Sequence, residues 1–330
     1  MGGHNRKKRQ VTRQAAYGRE GKRMRLRHEK STAAAHQFFH IPEMLLMELL
    51  PHCQLDSVMA LAQTSHYARD FVKAFFATNQ RILLQAFIGI SNAVIAMFYW
   101  ILEVSGSGMA GAFASSLLTP PYNIELTLNL NLFVPRGNVF LWRDFLGSLK
   151  LPLANDQPGV DRRYHHTTFS HVVFLGKSKG TTISISESRD NSVLTPLIGA
   201  TTTLNTTICT AAKFYSLYAD LLRQRRAIEG WFPTPVRKAV AIGKRGYRSS
   251  FSTTSWDRPC GLSCPVLWRH VRGLTGVGVF TWGGDRNQHD DFSEVGIPVT
   301  DNDFKWRLGD TCTNRHCQLR NANYLSVAAP

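Results

Sequence analysis

The sequence predicts an α+β protein: a small N-terminal helical bundle, then a mixed α/β body, then an irregular C-terminal region. Three observations carry this reading. Residues 37 to 80 are rich in Leu, Met, Ala and Phe, contain no Gly, and hold Pro only at positions 42 and 51, which is helical composition. From residue 104 short β-like runs follow, near 126–134, 171–176 and 181–187, separated by Gly, Pro, Asn and Asp, the texture of strands and turns in a mixed body. Four of the six cysteines fall in two close pairs within the last 71 residues, beyond the regular patterns.

At 330 residues and 43% hydrophobic composition the chain can bury a sizeable core, and its length suggests about two folded units. The formal charge of +16 is uneven, because residues 1–30 carry eleven Lys or Arg against two Glu. Such a segment cannot bury enough apolar surface to offset its ordering entropy, so residues 1–33 are expected to be a disordered basic tail. Its runs Arg6-Lys7-Lys8-Arg9 and Lys22-Arg23-Met24-Arg25-Leu26-Arg27 fit nuclear targeting or nonspecific phosphate binding, with a plain solvated tail as the other reading. Few cysteines for the length, and a basic start with no apolar segment behind it, point to a reducing compartment, nucleus or cytoplasm.

The expected helical module covers 34–80. Pro42 suits a first helical turn and Glu43 the positive end of the helix dipole, so helix one runs to about Leu50. After Pro51 to Gln54, Asp56 or Ser57 can cap a second helix that places Val58, Leu61, Ala62 and Ser65 on one face. Ile82 to Leu102 is then 21 residues without a charge, long enough to span a bilayer. Gln85, Gly89, Ser91 and Asn92 fall near its middle, where polar groups are costly in lipid, so two buried helices joined near Gly89 are expected instead of a membrane span. The body covers 81–230 and closes with a charged helix over Ala211 to Ile228; Trp231 to Pro235 marks the boundary to the last region, 231–330.

From Ile41 to Val72 the chain reads IPEMLLMELLPHCQLDSVMALAQTSHYARDFV. Ile41-Pro42-Glu43, Leu45-Leu46, Leu55-Asp56-Ser57, Leu61, Thr64-Ser65 and Arg69 resemble the F-box pattern. The resemblance implies binding to the Skp-type adaptor of cullin-RING ubiquitin ligases through Ile41, Pro42, Glu43, Leu45, Leu46, Leu49, Leu55 and Leu61. An apolar patch left exposed by such a helix pair is the usual mark of a partner site, and packing onto its own domain is the alternative.

Val104-Ser105-Gly106-Ser107, followed by an Ala-rich stretch and then NLNLFV at 129–134, resembles the nucleotidyltransferase fold. In that family a Gly-Ser turn opens a helix and holds phosphates by backbone amides, and the next strand carries two alternating carboxylates for divalent metals. Here Gly106 and Ser107 stand in the turn, Asn129 and Asn131 in the carboxylate places, and Glu187 matches a third carboxylate, with Glu125 on the face of the two Asn residues. An amide brings no charge to a two-metal site, so the resemblance implies a degenerate nucleotide site and no enzyme. ISES at 185–188, WDRPCG at 256–261 and CPVLWRHVRGL at 264–274 resemble stretches of a group of basidiomycete-type fungal F-box proteins.

Cys260 with Cys264 and Cys312 with Cys317 admit two readings. Two short loops with two thiolates each suit a tetrahedral zinc site, with His316 as a substitute ligand, and four unrelated buried thiols are the other. A second basic stretch, Arg223, Arg225, Arg226, Arg237, Lys238, Lys244, Arg245 and Arg248, is interleaved with Trp231, Phe232 and Tyr247 and admits nucleic-acid binding or a solvated face. Tyr164-His165-His166 and His171 are expected to be surface or strand residues, without a hydrolytic role. The leading expectation is a ubiquitin-ligase docking protein; a basic zinc-containing nucleic-acid binder and a divergent nucleotidyltransferase are the alternatives. The client of such an adaptor is not legible in the chain.

Overall fold

A computed structural model describes residues 43–118, 129–157, 167–200, 202–229, 243, 246–250, 252–272, 276–281, 305–308 and 312–320. The basic tail, Ile41, Pro42, Glu125, Tyr164 to His166 and Trp231 to Pro235 lie outside these residues. The chain divides into two compact units, Met1–Pro51 and His52–Pro330.

In the first unit, α1 spans Glu43–Leu49. Leu46 and Leu50 are buried, whereas Leu45, Met47 and Leu49 are exposed. In the second unit, α2 (Leu55–Thr64) and α3 (His66–Ile88) follow. Gln54 precedes α2 and makes no side-chain cap, with Asp56 inside the first turn; the expected cap at Asp56 or Ser57 therefore lies two to three residues too late. Val58 and Ala62 of the expected face are buried, as is Leu55.

Ser65 opens α3 by accepting the Ala68 amide at 3.1 Å, and the spacing of Ala68, Phe71, Val72, Phe75 and Phe76, continued by Leu83, Leu84, Phe87 and Ile88, gives the helix one buried stripe. Gly89, at φ 95°, ends it, a backbone conformation that side chains resist. α4 (Asn92–Val104) then leaves at 101°. The break expected near Gly89 is there, and among the described residues no single helix is long and apolar enough to cross a membrane. α3 runs through residue 80, where the helical module was expected to end.

The body is built on an eight-stranded sheet, from β1 (Gly108–Ala110), β2 (Asn129–Val134), β3 (Leu153–Gln157), β4 (Thr168–Leu175), β5 (Thr182–Ser188), β6 (Thr207–Cys209), β7 (Lys213–Ser216) and β11 (Gly278–Thr281), in the order β11-β7-β6-β1-β2-β5-β4-β3. β2 and β5 pair in parallel, and the other neighbours are antiparallel. The class is α+β. α5 (Ala112–Leu117) joins β1 toward β2, and α6 (Val139–Ser148) follows β2. The charged helix expected over 211–228 is instead β7, a short α7 (Ala219–Arg223) and β8 (Arg226–Ile228). Sheet pairing with β6 and β11 overrides the helical composition there.

Strand alternation gives the sheet two faces. Leu130, Leu132, Ile183, Ile185, Val172 and Cys209 point to one, which helices cover. α3 runs along it: Phe76 meets Phe280 of β11 with ring centroids 5.1 Å apart, Gln80 donates to Cys209 Sγ of β6 at 2.9 Å, and the Phe87 carbonyl accepts the Lys177 amide beyond β4. Trp142 of α6, fully buried, lies 5.0 Å from Phe98 of α4. On the other face Ala110, Phe133, Ile208 and Tyr215 join a second core with Tyr218, Trp256, Val266, Trp306 and the C-terminal cysteines. The C-terminal region thus supplies β11 and a layer over half the sheet, with short pairs β8–β9 (Arg248–Ser250) and β10–β12 (Arg269–His270 with Lys305–Trp306).

Candidate metal centre

The first cysteine loop begins at Cys260, makes a 3-10 turn over Gly261–Ser263 and reaches Cys264. Gly261 sits at φ 52° with nothing near its would-be Cβ, so the turn needs glycine for its backbone alone. Cys312, 52 residues after Cys260, and Cys317 lie on a second irregular loop whose turn is closed by the Cys317 amide donating to the Asn314 carbonyl at 3.1 Å. The four sulfurs lie within 4.8 Å of one another. Cys260 and Cys312 approach to 3.6 Å, and Cys264 and Cys317 to 3.5 Å. All four are free thiols, since disulfide sulfurs stand about 2 Å apart. Cys260, Cys264 and Cys312 are buried.

A shell of donors surrounds the sulfurs. The Leu319 amide donates to Cys317 Sγ at 3.4 Å, and the amides of Val266 and Asn314 donate to Cys264 and Cys312. Each of these donors lies two residues after its cysteine. The buried Asn314 side chain donates to Cys260 Sγ at 3.1 Å and to the Arg258 carbonyl at 2.8 Å, and the Thr253 hydroxyl lies 3.4 Å from Cys312 Sγ. Burial pushes the Cys260 thiol up to about 12 and also raises that of Cys264. Burial acts in the same sense on Cys312, but hydrogen bonds from the Thr253 hydroxyl, the Asn314 amide, Cys260 and Cys317 together outweigh it and the net shift is downward. Such N–H and O–H donors are what a metal-bound thiolate uses to spread its charge.

His316 is exposed and accepts from Arg315 Nε at 3.0 Å; the cluster that could hold an ion consists of the four cysteines without it. Cys53 and Cys209 stand apart from the cluster, as expected. No protein-family model, no curated protein and no solved structure matches this chain. Asn314, Thr253 and Arg269, whose place beside the cluster is described below, were not singled out from sequence. Asn314 had one available signal, its position inside the second cysteine loop.

The other expected sites fare differently. Gly106 and Ser107 do not open a helix. Their amides donate to the carbonyls of Glu103 and Leu102 and so close α4, with Gly106 at φ 61°, an ordinary helix ending. Ser107 Oγ is buried between the Ser105 hydroxyl at 2.6 Å and the Trp142 indole N–H at 2.9 Å. No amide is left there for a phosphate. Asn129 and Asn131 do share a face, and Asn129 Nδ2 donates to Asn131 Oδ1 at 2.7 Å, while Asn129 Oδ1 accepts from Thr182 and Ser184 at 3.0 and 3.1 Å. Both amide oxygens are engaged by protein donors.

Glu187 corrects the sequence reading. It is in register with Val134, whereas Asn129 and Asn131 are in register with Thr182 and Ser184, so strand alternation places Glu187 on the opposite face of the sheet. There it accepts the Gly137 amide at 2.7 Å and the Ser170 hydroxyl at 2.6 Å. On the helices, Leu46 and Leu55 are buried within the chain and are unavailable to a partner; Leu61 is half-buried, and Leu45 and Leu49 are exposed. In the second basic stretch, Arg223 is paired with Asp56 and Asp220, and Arg226 lies 4.3 Å over the Trp256 ring. Residues 237, 238, 244 and 245 lie outside the described residues.

Proposed function

We propose that this chain is a protein-interaction adaptor that docks through its first helix, in the manner of an F-box, onto a Skp-type adaptor of a cullin-RING ubiquitin ligase. The observation that carries the reading is the two-sided apolar character of α1 and the turn that follows it: Leu46 and, just past the helix, Leu50 are buried, while Leu45 and Leu49, one turn apart, are 47% and 53% exposed. A row of leucines left in water is costly unless a partner covers it. The test is co-purification of the full chain with the adaptor. Leu45→Ala combined with Leu49→Ala should abolish it, and retention at the wild-type level would sink the proposal.

The second part of the reading is that the four cysteines hold zinc. Soft thiolates without carboxylate or imidazole select zinc, copper(I) or iron–sulfur centres. In a tetrahedron with Zn–S near 2.3 Å, adjacent sulfurs stand about 3.8 Å apart, and the spacings here fall around that value. Zinc would fasten two loops, 52 residues apart between Cys260 and Cys312, to the second core. One equivalent of zinc by elemental analysis of colourless protein supports this; its absence from protein purified without chelator would remove it.

The two alternatives are less well supported. By composition residues 251–330 carry eight Lys or Arg and eight Asp or Glu, no net positive charge to favour nucleic acid. The nucleotidyltransferase reading lacks its carboxylate pair, its phosphate turn and its third acid on one face.

A further inference from the structure

Arg269 is fully buried, with 0% of its surface exposed. Its guanidinium lies 3.5 Å over the Tyr218 ring and donates to four backbone carbonyls: those of Cys264 at 3.2 Å and Leu267 at 2.8 Å, and those of Leu262 and Leu217. Three of these carbonyls belong to the first cysteine loop and its continuation, and one is the carbonyl of a ligand cysteine. Among the described residues the carboxylate whose charge reaches it is Asp220, which is ion-paired with Arg223 at 3.5 Å, and none forms an ion pair with Arg269. Carbonyls satisfy the hydrogen bonds of a guanidinium, but they do not neutralise it. A buried cation without an anion is destabilising by several kcal/mol, and an arginine does not escape by losing its proton.

Four thiolates around one Zn²⁺ leave two net negative charges in the same core. Each charge is costly there alone, and together they offset one another. We infer that Arg269 is the counter-charge of the cysteine centre, the residue that makes four buried thiolates tolerable and that ties metal loading to the packing of the C-terminal region. This rests on the zinc reading above. It makes Arg269 a positioning residue: it acts on the ion through the Cys264 peptide and through its field, and supplies no ligand.

The test uses the full chain as wild type, Arg269→Lys and Arg269→Gln, titrated with zinc in competition with a chromophoric chelator and melted with and without zinc. Arg269→Gln should bind zinc about 10–100-fold more weakly, the usual cost of losing an outer-shell partner, and zinc should raise its Tm by less than it raises that of the wild type. Arg269→Lys keeps the charge but not the planar fork, and should recover much of the affinity. Zinc binding by Arg269→Gln equal to that of the wild type overturns the inference. So does a Lys variant as weak as the Gln variant, because the hydrogen-bond fork alone would then explain the residue. If Arg269→Gln does not fold without metal, Arg269→Lys decides: affinity near wild type supports the charge role, and a loss of the size expected for Gln refutes it. Wild-type protein that binds no zinc refutes the zinc reading itself, and is distinguished because it is measured first.

Discussion

Asn314 holds the Cys260 sulfur at 3.1 Å with the same amide nitrogen that reaches the Arg258 carbonyl at 2.8 Å. Its oxygen accepts the His316 amide at 2.8 Å. One buried side chain therefore ties the first cysteine loop to the second. Replacing it with Leu, similar in size, removes all three bonds and leaves the part-buried Arg258 carbonyl and His316 amide without these partners, a cost of about 1–3 kcal/mol. Zinc affinity should fall about tenfold or more. Competition with a chelator measures the second effect and denaturant melts the first; an Asn314→Leu chain with unchanged zinc affinity would show that this amide does not support the centre.

Stripping the metal is a broader perturbation. A strong chelator under reducing conditions should lower the Tm of the full chain by on the order of 10 °C, as expected when a tightly bound ligand is withdrawn from a domain of this size. Zinc should restore it, and magnesium should not. Cys264→Ser should reproduce the loss, because Cys264 faces Cys317 at 3.5 Å in the second core. Cys53→Ser, outside the cluster, should leave both Tm and zinc content unchanged.

Putting acids back at the degenerate site should not restore chemistry. In Asn129→Asp the donor to Asn131 Oδ1 becomes an acceptor at 2.7 Å, so two oxygens face each other on a half-buried strand. Stability should drop by about 1–3 kcal/mol, measured by urea unfolding. Asn129→Asp with Asn131→Asp should show no magnesium-dependent nucleotide turnover, since Glu187 lies on the other face and Gly106-Ser107 closes a helix. Turnover by that double variant would revive the enzyme reading.

What could be read from the chain follows from how local the signal is. β2 and β5 carry apolar–polar alternation in NLNL and TISIS, β4 is a run rich in Val and Phe, and the polar cluster around Gly89 marks the helix break without any tertiary knowledge. β1, β6 and β7 are three or four residues long, too short for a period, and exist because their neighbours supply hydrogen bonds. Two close cysteine pairs suggested a metal site, and the fold brings all four sulfurs together. The face of Glu187 depends on a parallel register with β2, which spacing does not encode. The buried state of Arg269 is equally silent, since composition counts it as one more surface cation.

Tyr218 links that arginine to alkaline stability. Burial raises its phenol to about 12, against an ordinary value of 10.0, although Arg269 and the Leu308 amide pull the other way. The folded chain therefore holds this proton more tightly than the unfolded chain does. Below about pH 10 both states keep the proton and the group adds no pH dependence. Between about pH 10 and 12 the unfolded state ionises first, so stability falls with rising pH, by about 2–3 kcal/mol for a shift of this size. Tyr218→Phe has no proton to lose. It should be less stable at neutral pH, because the buried hydroxyl's bonds with the Leu308 amide at 3.1 Å and the Pro265 carbonyl at 3.5 Å are lost, yet flatter from pH 10 to 12 than the wild type. Chemical denaturation across that interval measures the difference in slope; parallel curves would mean that the Tyr218 proton is not held by the fold.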